Sequence, residues 1–244
     1  MAGDANSPER KNAMNAAMFN ELLAVFREVD ASTTDRVLVI TGAGDAFCSG
    51  ADLSDRGSDT RHAMQRLHWV ADIALALHRI PKPIIAKVNG VAVGAGMNLA
   101  LGCDLIVASE QARFSEIFAR RGLTIDFGGS WLLPRLVGMH RAKELVLLAD
   151  IIDAREAERI GLVNRVVPHD RLAEETRELA QRLAHLPPLA LALSKRLLDQ
   201  APTMSMAEAI ESENAAQALV ATSRDTAEAV LAFLENREPN YTGE

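Results

Sequence analysis

The clearest chemical signal in this 244-residue chain is a pair of glycines that flank a single alanine, Gly94-Ala95-Gly96. An apolar, β-branched run at residues 84–88 precedes them and is typical of a buried strand, and a helical pattern follows. Without side chains at 94 and 96 the backbone can turn tightly, and the first turn of the next helix offers unpaired N–H groups. The segment therefore predicts a backbone cradle for an anion, either a phosphate or an oxyanion that forms during a reaction.

A second glycine-rich segment, residues 42–52, follows another short apolar run at 36–41. The recurrence of strand, glycine-rich turn and helix predicts two stacked units whose N–H groups serve one site. A dinucleotide site is the alternative, but Leu99 stands where its third glycine would be, and no acidic residue follows about 20 positions later. A short-chain reductase would need an active-site tyrosine, and Tyr241 near the C-terminus is the only tyrosine.

The composition is ordinary for a globular protein, with 48% hydrophobic and 24% charged residues. The net charge of −7 argues against a nucleic-acid or anionic-membrane surface, so local arginines would have to meet an anionic ligand. Cys48 and Cys103 and the six histidines show no metal-ligand spacing, so we expect reduced thiols and no metal site. The sequence has neither a membrane-length apolar run nor a signal-peptide pattern, which favours a cytoplasmic protein.

Strands alternate with helices through the first two thirds of the chain, and the last quarter is almost wholly helical in pattern. Four short apolar runs are typical of buried strands: 36–41, 84–88, 104–108 and 162–167. Helical periodicity joins them, notably at 59–79 and at 130–137, which Pro134 would interrupt. This alternation predicts an α/β core over residues 1–185, with 186–244 as a separate helical layer or an assembly arm.

Several motifs, taken together, resemble those of the enoyl-CoA hydratase/isomerase (crotonase) superfamily. Residues 6–14 are similar to its N-R-P…N-A-L opening, and residues 47–53, FCSGADL, to its F-x-x-G-A-D-L segment. Residues 81–104 resemble its K-P…N-G…G-G-G…C-D block. Three further segments complete the series: 128–130, 154–163 and 233–239. The resemblance covers nearly the whole chain.

The resemblance implies a spiral of strand–strand–helix (ββα) units with a C-terminal helical trimerisation region, assembled as a homotrimer or hexamer. It also implies acyl-CoA substrates and no metal or redox cofactor, since coenzyme A is part of the substrate. The oxyanion-hole N–H groups would fall at Ala51 and Ala95. Two such donors stabilise the enolate that forms when a neighbouring C–H group loses its proton, by about 3–4 kcal/mol each.

The two glutamates that hydratases of this superfamily use are replaced in this chain. The matching positions hold Asn98 and Phe118, and neither side chain can exchange a proton at neutral pH. Asp126, however, lies in a loop similar to that of the 1,2-epoxyphenylacetyl-CoA isomerase-like members, at the position of their catalytic aspartate. Neighbouring apolar residues would partly desolvate this carboxyl group and make it a proton shuttle. The alternative role is an N-cap for the helix that begins near residue 130.

Three other polar residues compete with Asp126 for a part in the chemistry. Glu116 is the runner-up, but its offset of two from Phe118 on a helix would turn it to another face, which favours a solvated or salt-bridged role. Asp52 is expected mainly to cap the segment that follows it. Asn98 would orient the acyl chain or a water molecule, or would only pack its helix.

Basic residues near the two turns are the candidates for the phosphates of coenzyme A. The expected contacts are Arg10, Lys11 and Arg56 with the backbone of Gly50 and Gly94, and Arg61 and Arg66 are further candidates. Arg56 would stand in for a lysine that relatives carry where this chain has Ser54. Arg237 would replace a C-terminal lysine whose position holds Asn236. The alternative for each is an ordinary solvated surface arginine.

These residues support three hypotheses. The favoured one is an acyl-CoA isomerase in which Asp126 moves a proton between two carbons of an enolate held by Ala51 and Ala95. The second is a hydratase or thioester hydrolase that uses Asp126 or Glu116 with a water molecule. The third is a non-catalytic acyl-CoA-binding protein that kept the backbone cradle and lost the acids.

The start of the chain departs from the superfamily pattern. Relatives carry two apolar strands before the opening motif, whereas only residues 1–5 precede it here. Either the N-terminal hairpin is missing, which would make the next strand an edge, or the start site is incomplete. Because an uncovered edge strand favours aggregation, another segment or subunit should cover it.

Overall fold

The computed structural model describes residues 2–5, 8–53 and 62–244, whose strands form two sheets. The larger sheet contains, in spatial order, β1 (Ala2–Ala5), β2 (Leu38–Gly42), β4 (Ile84–Val88), β6 (Leu105–Ser109) and β9 (Arg165–Val167). The smaller sheet contains β3 (Ala46–Cys48), β5 (Val91–Val93), β7 (Arg113–Ser115) and β8 (Ile152–Asp153). All neighbouring strands in these sheets are parallel except β7 and β8.

Successive strands alternate between the two sheets in repeated units. Strands β2, β4 and β6 of the larger sheet lead, after short turns, into β3, β5 and β7 of the smaller one. Helix α2 (Ala63–Arg79) follows the first pair of strands, and α3 (Ala95–Leu101) follows the second. This arrangement confirms the expected α/β spiral of ββα units.

The remaining helices lie around and after this core. They are α1 (Ala16–Ala31), α4 (Gly129–Val137), α5 (Met139–Leu148), α6 (Ala154–Arg159), α7 (Leu172–Ala184), α8 (Pro188–Gln200), α9 (Met206–Val220) and α10 (Arg224–Glu235). The predicted interruption at Pro134 is wrong, since α4 continues through it to Val137. The carbonyl of Pro134 accepts from the N–H of Gly138 at 3.0 Å, so the last turn still closes.

Both faces of the larger sheet are covered by helices. On one side α1 packs against α2, where Phe19 and Trp69 meet edge to face with their ring centroids 5.4 Å apart. On the other side Leu172 and Leu179 of α7 pack against Ile85 of β4 and its neighbours. The predicted boundary at residue 185 falls between α7 and α8 and stays a prediction.

Strand β1 lies along the outer edge of β2. Ala2 is paired with Val39 and Ala5 with Gly42, in parallel register. Residues 2–5 thus provide the cover that the sequence analysis expected for this edge. The strand itself was not predicted, because Ala-Gly-Asp-Ala lacks β-branched residues and forms a strand only through its neighbour.

Candidate active site

The first glycine-rich turn sets the start of helix α3. Gly94 has φ +56° and ψ −128°, a conformation that L-residues with a side chain rarely adopt, and its N–H donates to Ser115 O at 2.9 Å. A Cβ placed on Gly96 would lie 2.3 Å from the carbonyl oxygen of Cys48. The first turn of α3 therefore packs directly against the end of β3.

Two buried asparagines hold the first part of the second glycine-rich segment, the turn between β2 and β3. Asn89 accepts from the N–H of Gly42 at 3.3 Å and donates to the carbonyls of Gly44 and Ala46 at 2.9 and 3.1 Å. Asn12 donates to the same Ala46 carbonyl at 2.8 Å. In the sequence both residues are recognisable only as positions within the family motifs. Their partners lie about 30–50 positions away along the chain, so no local signal reveals these hydrogen bonds.

The end of this glycine-rich segment, after β3, lies next to the turn at Gly94. The N–H of Met14 donates to Gly50 O at 2.8 Å, and the N–H of Asp52 donates to Met14 O at 2.9 Å. This bridge leaves the N–H of Ala51 directed away from Met14. A Cβ placed on Gly50 would lie 3.7 Å from the amide nitrogen of Ala95. The predicted donors at 51 and 95 are thus on adjoining turns, and both residues line the same cavity.

That cavity has a volume of about 340 Å³ and a largely apolar wall. Its apolar side chains come mainly from α1, α2 and the loop before α4: Met14, Phe19, Leu67, Trp69, Val70 and Leu123. Its charged lining residues in the described chain are Asp52, Arg66 and Asp126. A concave apolar space with a few converging polar groups is the usual form of a small-molecule site.

Asp126 reaches the cavity from the loop that precedes α4. Its carbonyl oxygen accepts from the N–H of Gly129 and from Asn98 Nδ2, each at 3.0 Å. Phe127 and Gly128 follow with φ +51° and +81°, so the backbone bends sharply just after the aspartate. The alternative role as an N-cap of α4 is wrong, because Gly128 occupies the cap position and no side chain caps that helix.

Glu116 is buried beside Asp126, so the expected solvated or salt-bridged role is wrong. The helical argument fails because Glu116, with φ −83° and ψ 61°, precedes the 3₁₀ helix Ile117–Arg121. Asn98 Nδ2 donates to Glu116 Oε2 at 3.4 Å. Burial raises the pKa of Glu116 to about 8, against the lowering effect of Asn98, and the charge of Asp126 adds to the rise.

Asn98 and Phe118 fill the places that the resemblance assigns to hydratase glutamates. Asn98 is buried and contacts Glu116 and the Asp126 carbonyl, and it is not among the residues that line the cavity. Phe118 is also buried, and its ring lies 3.6 Å from a Cβ placed on Gly94. The ring therefore closes off the space next to the first turn.

Three of the basic residues predicted to contact phosphate lie near the cavity or the turn beside it. Arg10 forms an ion pair with Asp52, next to Ala51, at 2.6 Å, and more than half of its side chain is exposed. Lys11 is exposed on the same turn, and its carbonyl accepts from Ser49. Arg66 lines the cavity.

Two other predicted contacts, Arg56 and Arg61, lie outside the described residues, as does any capping of that segment by Asp52. Arg237 is held by two carboxylates, with 2.6 Å to Glu228 and 2.7 Å to Glu235. A phosphate would have to compete with these two carboxylates, and the contact of Arg237 stays a prediction.

The described residues contain neither a metal-binding cluster nor a membrane-spanning helix. No group of three or more His, Cys, Asp or Glu side chains in this part of the chain could hold a metal ion. Within the same residues, no helix combines the length and the apolar character needed to cross a bilayer.

Comparisons with known proteins agree with this geometry. A family model described as enoyl-CoA hydratase/isomerase matches residues 4–244. The chain is 39% identical to the 1,2-epoxyphenylacetyl-CoA isomerase of Escherichia coli, over 98% of this chain and 93% of that protein. It is 36% identical to the crotonyl-CoA hydratase of Syntrophomonas wolfei, over 97% of this chain and 92% of that protein.

A solved structure extends the agreement to three dimensions. The crystal structure of an enoyl-CoA hydratase from Bacillus anthracis superposes with a TM-score of 0.94 at 33% identity, covering 100% of this chain and 95% of that one. Sequence and fold thus match over the full spiral and the C-terminal helices. The chain belongs to the enoyl-CoA hydratase/isomerase family, whose enzymes act on acyl-CoA thioesters.

Proposed function

We propose that this enzyme isomerises an enoyl-CoA or related acyl-CoA thioester through an enolate, with Asp126 as the proton carrier. The observation that carries the proposal is that Ala51, Ala95 and Asp126 line one apolar cavity. The two alanines supply main-chain donors. Among the described residues of that wall, the carboxylates are Asp126 and Asp52, and Asp52 is paired with Arg10.

The proposed reaction is a transfer of one proton between two carbons. The Asp126 carboxylate removes a proton from the carbon next to the thioester carbonyl; the C–H electron pair forms a carbon–carbon double bond, and the C=O π pair moves onto the oxygen. The N–H groups of Ala51 and Ala95 stabilise the resulting enolate. The protonated Asp126 then returns the proton to a different carbon as the carbonyl re-forms, so the double bond has moved and no redox step is needed.

The acyl group would lie against the aromatic and aliphatic wall built by Phe19, Trp69 and their neighbours. Coenzyme A would extend past Gly50 and Gly94 towards Arg10 and Lys11, with Arg56 as a further phosphate contact. Burying the acyl chain there favours binding by about 25 cal/mol for each Å² of apolar surface removed from water.

Hydration or thioester hydrolysis is the second candidate, because relatives include the crotonyl-CoA hydratase of Syntrophomonas wolfei. Water addition normally uses two acid–base groups, and the family positions for them hold Asn98 and Phe118. Asp126 would then have to act alone or with Glu116, which does not line the cavity. The same residues favour proton transfer within the substrate over addition of water.

The deciding experiment compares the unchanged enzyme with Asp126→Asn on a 3-enoyl-CoA and on crotonyl-CoA. We expect double-bond migration in the 3-enoyl-CoA, a fall in kcat of about 10²–10⁴-fold in the variant, and little change in the dissociation constant for the thioester. Undiminished turnover by the variant would remove Asp126 from the mechanism. Preferential hydration of crotonyl-CoA would support the second candidate, and tight binding without turnover of either compound would support a non-catalytic acyl-CoA-binding protein.

A further inference from the structure

Behind the cavity wall, Asn98 and Glu116 form a fully buried pair of polar side chains. Asn98 Nδ2 donates to Asp126 O at 3.0 Å and to Glu116 Oε2 at 3.4 Å, which uses both of its hydrogens. The other two oxygens, Asn98 Oδ1 and Glu116 Oε1, are buried with no hydrogen-bond partner in the described part of the chain. Unsatisfied buried oxygens of this kind are rare and call for a physical account.

A carboxylate at position 116 cannot satisfy these oxygens, because it and the amide oxygen are both acceptors. A protonated carboxyl group can. Its O–H would donate from Oε1 to Asn98 Oδ1 while Oε2 keeps its bond from Nδ2. A carboxylic acid and a primary amide then share two hydrogen bonds, and both orphaned oxygens gain partners.

We propose that Glu116 is a positioning residue that keeps its proton and pairs with Asn98 through two hydrogen bonds. The pair leaves one Nδ2 hydrogen of Asn98 directed at the Asp126 carbonyl, and so fixes the loop that carries the proposed proton carrier. The pairing rests on the contact of Asn98 Nδ2 with Glu116 Oε2 and on the two unpartnered oxygens, whereas its effect on turnover rests on the proposed function of Asp126.

The surroundings favour this protonated state. The groups that act on the charge of Glu116 are Asn98 from α3 and Asp126 from the loop before α4, and no cation acts on it among the described residues. A second negative charge beside Asp126 would be repelled at this buried position. Gly129 closes the other side of the amide, since a Cβ there would lie 2.4 Å from both Nδ2 and Oδ1 of Asn98.

Glutamine is the informative replacement at position 116. Its Nε2 can donate to Asn98 Oδ1 and its Oε1 can accept from Nδ2, so Glu116→Gln preserves the pair without a titrating group. Glu116→Leu keeps similar bulk but leaves both polar groups of the Asn98 amide without their Glu116 partner.

The sign of the pH effect follows from the two protonation states. Glu116 ionises near pH 4.5 in the unfolded chain and at about pH 8 in the folded one, so the folded chain holds one more proton between these values. The contribution of this proton to stability is present below pH 4.5 and is lost as the pH rises towards 8. Glu116→Gln removes that dependence.

The experiment measures the free energy of unfolding in urea from pH 5 to pH 9 for the unchanged enzyme and for Glu116→Gln. We expect the difference between the two to change with a slope approaching one proton from pH 5 to about pH 8 and to level off above it. At pH 7 the infrared carbonyl band of a buried carboxylic acid should be present in the unchanged enzyme and absent from the variant. Parallel pH curves and no such band would overturn the pairing.

Turnover gives the second readout. Glu116→Gln should keep kcat and its pH profile, whereas Glu116→Leu should lower kcat about 10²-fold at nearly constant KM because the loop shifts. Equal kcat for the leucine variant, provided it folds, would overturn the positioning role. If the leucine variant does not fold, a large loss of kcat in Glu116→Gln overturns that role instead. A failed Asp126→Asn test with an intact infrared band would reject the proposed function and leave the pairing standing.

Discussion

At the residue scale, the proposed chemistry divides between main-chain donors and side chains that hold them in place. In the proposed mechanism Ala51 and Ala95 contribute their N–H groups, and the methyl group of Ala95 also packs in the core. Asn12 and Asn89 fix the turn that leads to Ala51, and Gly96 lets α3 approach β3. The shape of the site therefore depends in large part on residues that do not line the cavity.

The first prediction concerns Asn89. Replacing it with alanine leaves the N–H of Gly42 and the carbonyl of Gly44 without these buried partners, so the free energy of unfolding should fall by about 1–3 kcal/mol. Asn214→Ala, on the exposed face of α9, is the control and should change it by less than about 0.5 kcal/mol. Urea titration measures both. Equal effects of the two substitutions would contradict the anchoring role.

The second prediction concerns the thiols. Cys48 and Cys103 are both buried, and burial raises the pKa of Cys48 to about 12 and the pKa of Cys103 as well. Because the thiolate is the reactive form, the folded chain should react slowly with a thiol-specific disulfide reagent at pH 8. The unfolded chain should react at both cysteines. Rapid labelling of the folded chain would show that one of these side chains is accessible.

At the element scale, the spiral places the ends of β3 and β5 next to each other, which brings the two turns together. The site thus depends on how closely α3 packs on β3. The obstacle to a side chain at Gly96 is backbone, the carbonyl of Cys48, and not a movable side chain.

A third prediction tests that close contact. Gly96→Ala should lower the free energy of unfolding by about 1–3 kcal/mol and reduce kcat, since α3 must move away from β3. Gly102→Ala, at the other end of the same helix, is the matched control. Its new methyl group would come closer than 3 Å only to the tip of Leu77, at 2.9 Å, while the carbonyl oxygens of Asn98 and Leu99 lie at 3.5 and 3.6 Å. Its φ of −74° suits any residue. Thermal unfolding and turnover of both variants should separate them, and similar losses would refute the argument.

Sequence patterns predicted some of these elements well. The continuous apolar run at 84–88 coincides with β4, because a strand buried on both faces needs no alternation. Strands β3, β5 and β8 were missed, since two or three residues carry too little periodicity.

The same limits apply to the site. The resemblance placed Ala51, Ala95 and Asp126, and the structure brings them to one cavity. Glu116 was misjudged because its helical assignment was wrong by one residue. The Asn12 and Asn89 anchors join distant segments, and tertiary hydrogen bonds of this kind leave no local pattern to read.

At the scale of the whole molecule, apolar side chains on α10 lie open in the single chain. Phe233 is 81% exposed and Leu234 is 71% exposed, and Val230 lies one turn earlier on the same helix. Contiguous exposed apolar surface of this kind marks an interaction site. We therefore retain the homotrimer or hexamer as a proposal, with α10 as part of the contact.

The fourth prediction tests that assembly. Sedimentation equilibrium of the unchanged protein should give a mass of three or six 26.4 kDa chains, and Phe233→Asp should shift it towards a single chain. A charge buried in an apolar contact without a partner is strongly unfavourable. Glu211→Ala, on the exposed surface of α9, should leave the mass unchanged. An unaltered mass for the aspartate variant would exclude Phe233 from the contact.

The bridge between Met14 and Ala51 affects which point mutations can inactivate the enzyme, because it positions a main-chain group and not a side chain. Every substitution except one to proline keeps the backbone N–H group, so point mutation can affect the amides at 51 and 95 only indirectly. In a library that covers every single substitution, inactive alleles should map to Asp126 and to the residues that hold the two turns, Asn12, Asn89 and Gly96. Position 51, whose side chain is exposed, should tolerate most replacements, whereas position 95 is buried and should accept only small residues.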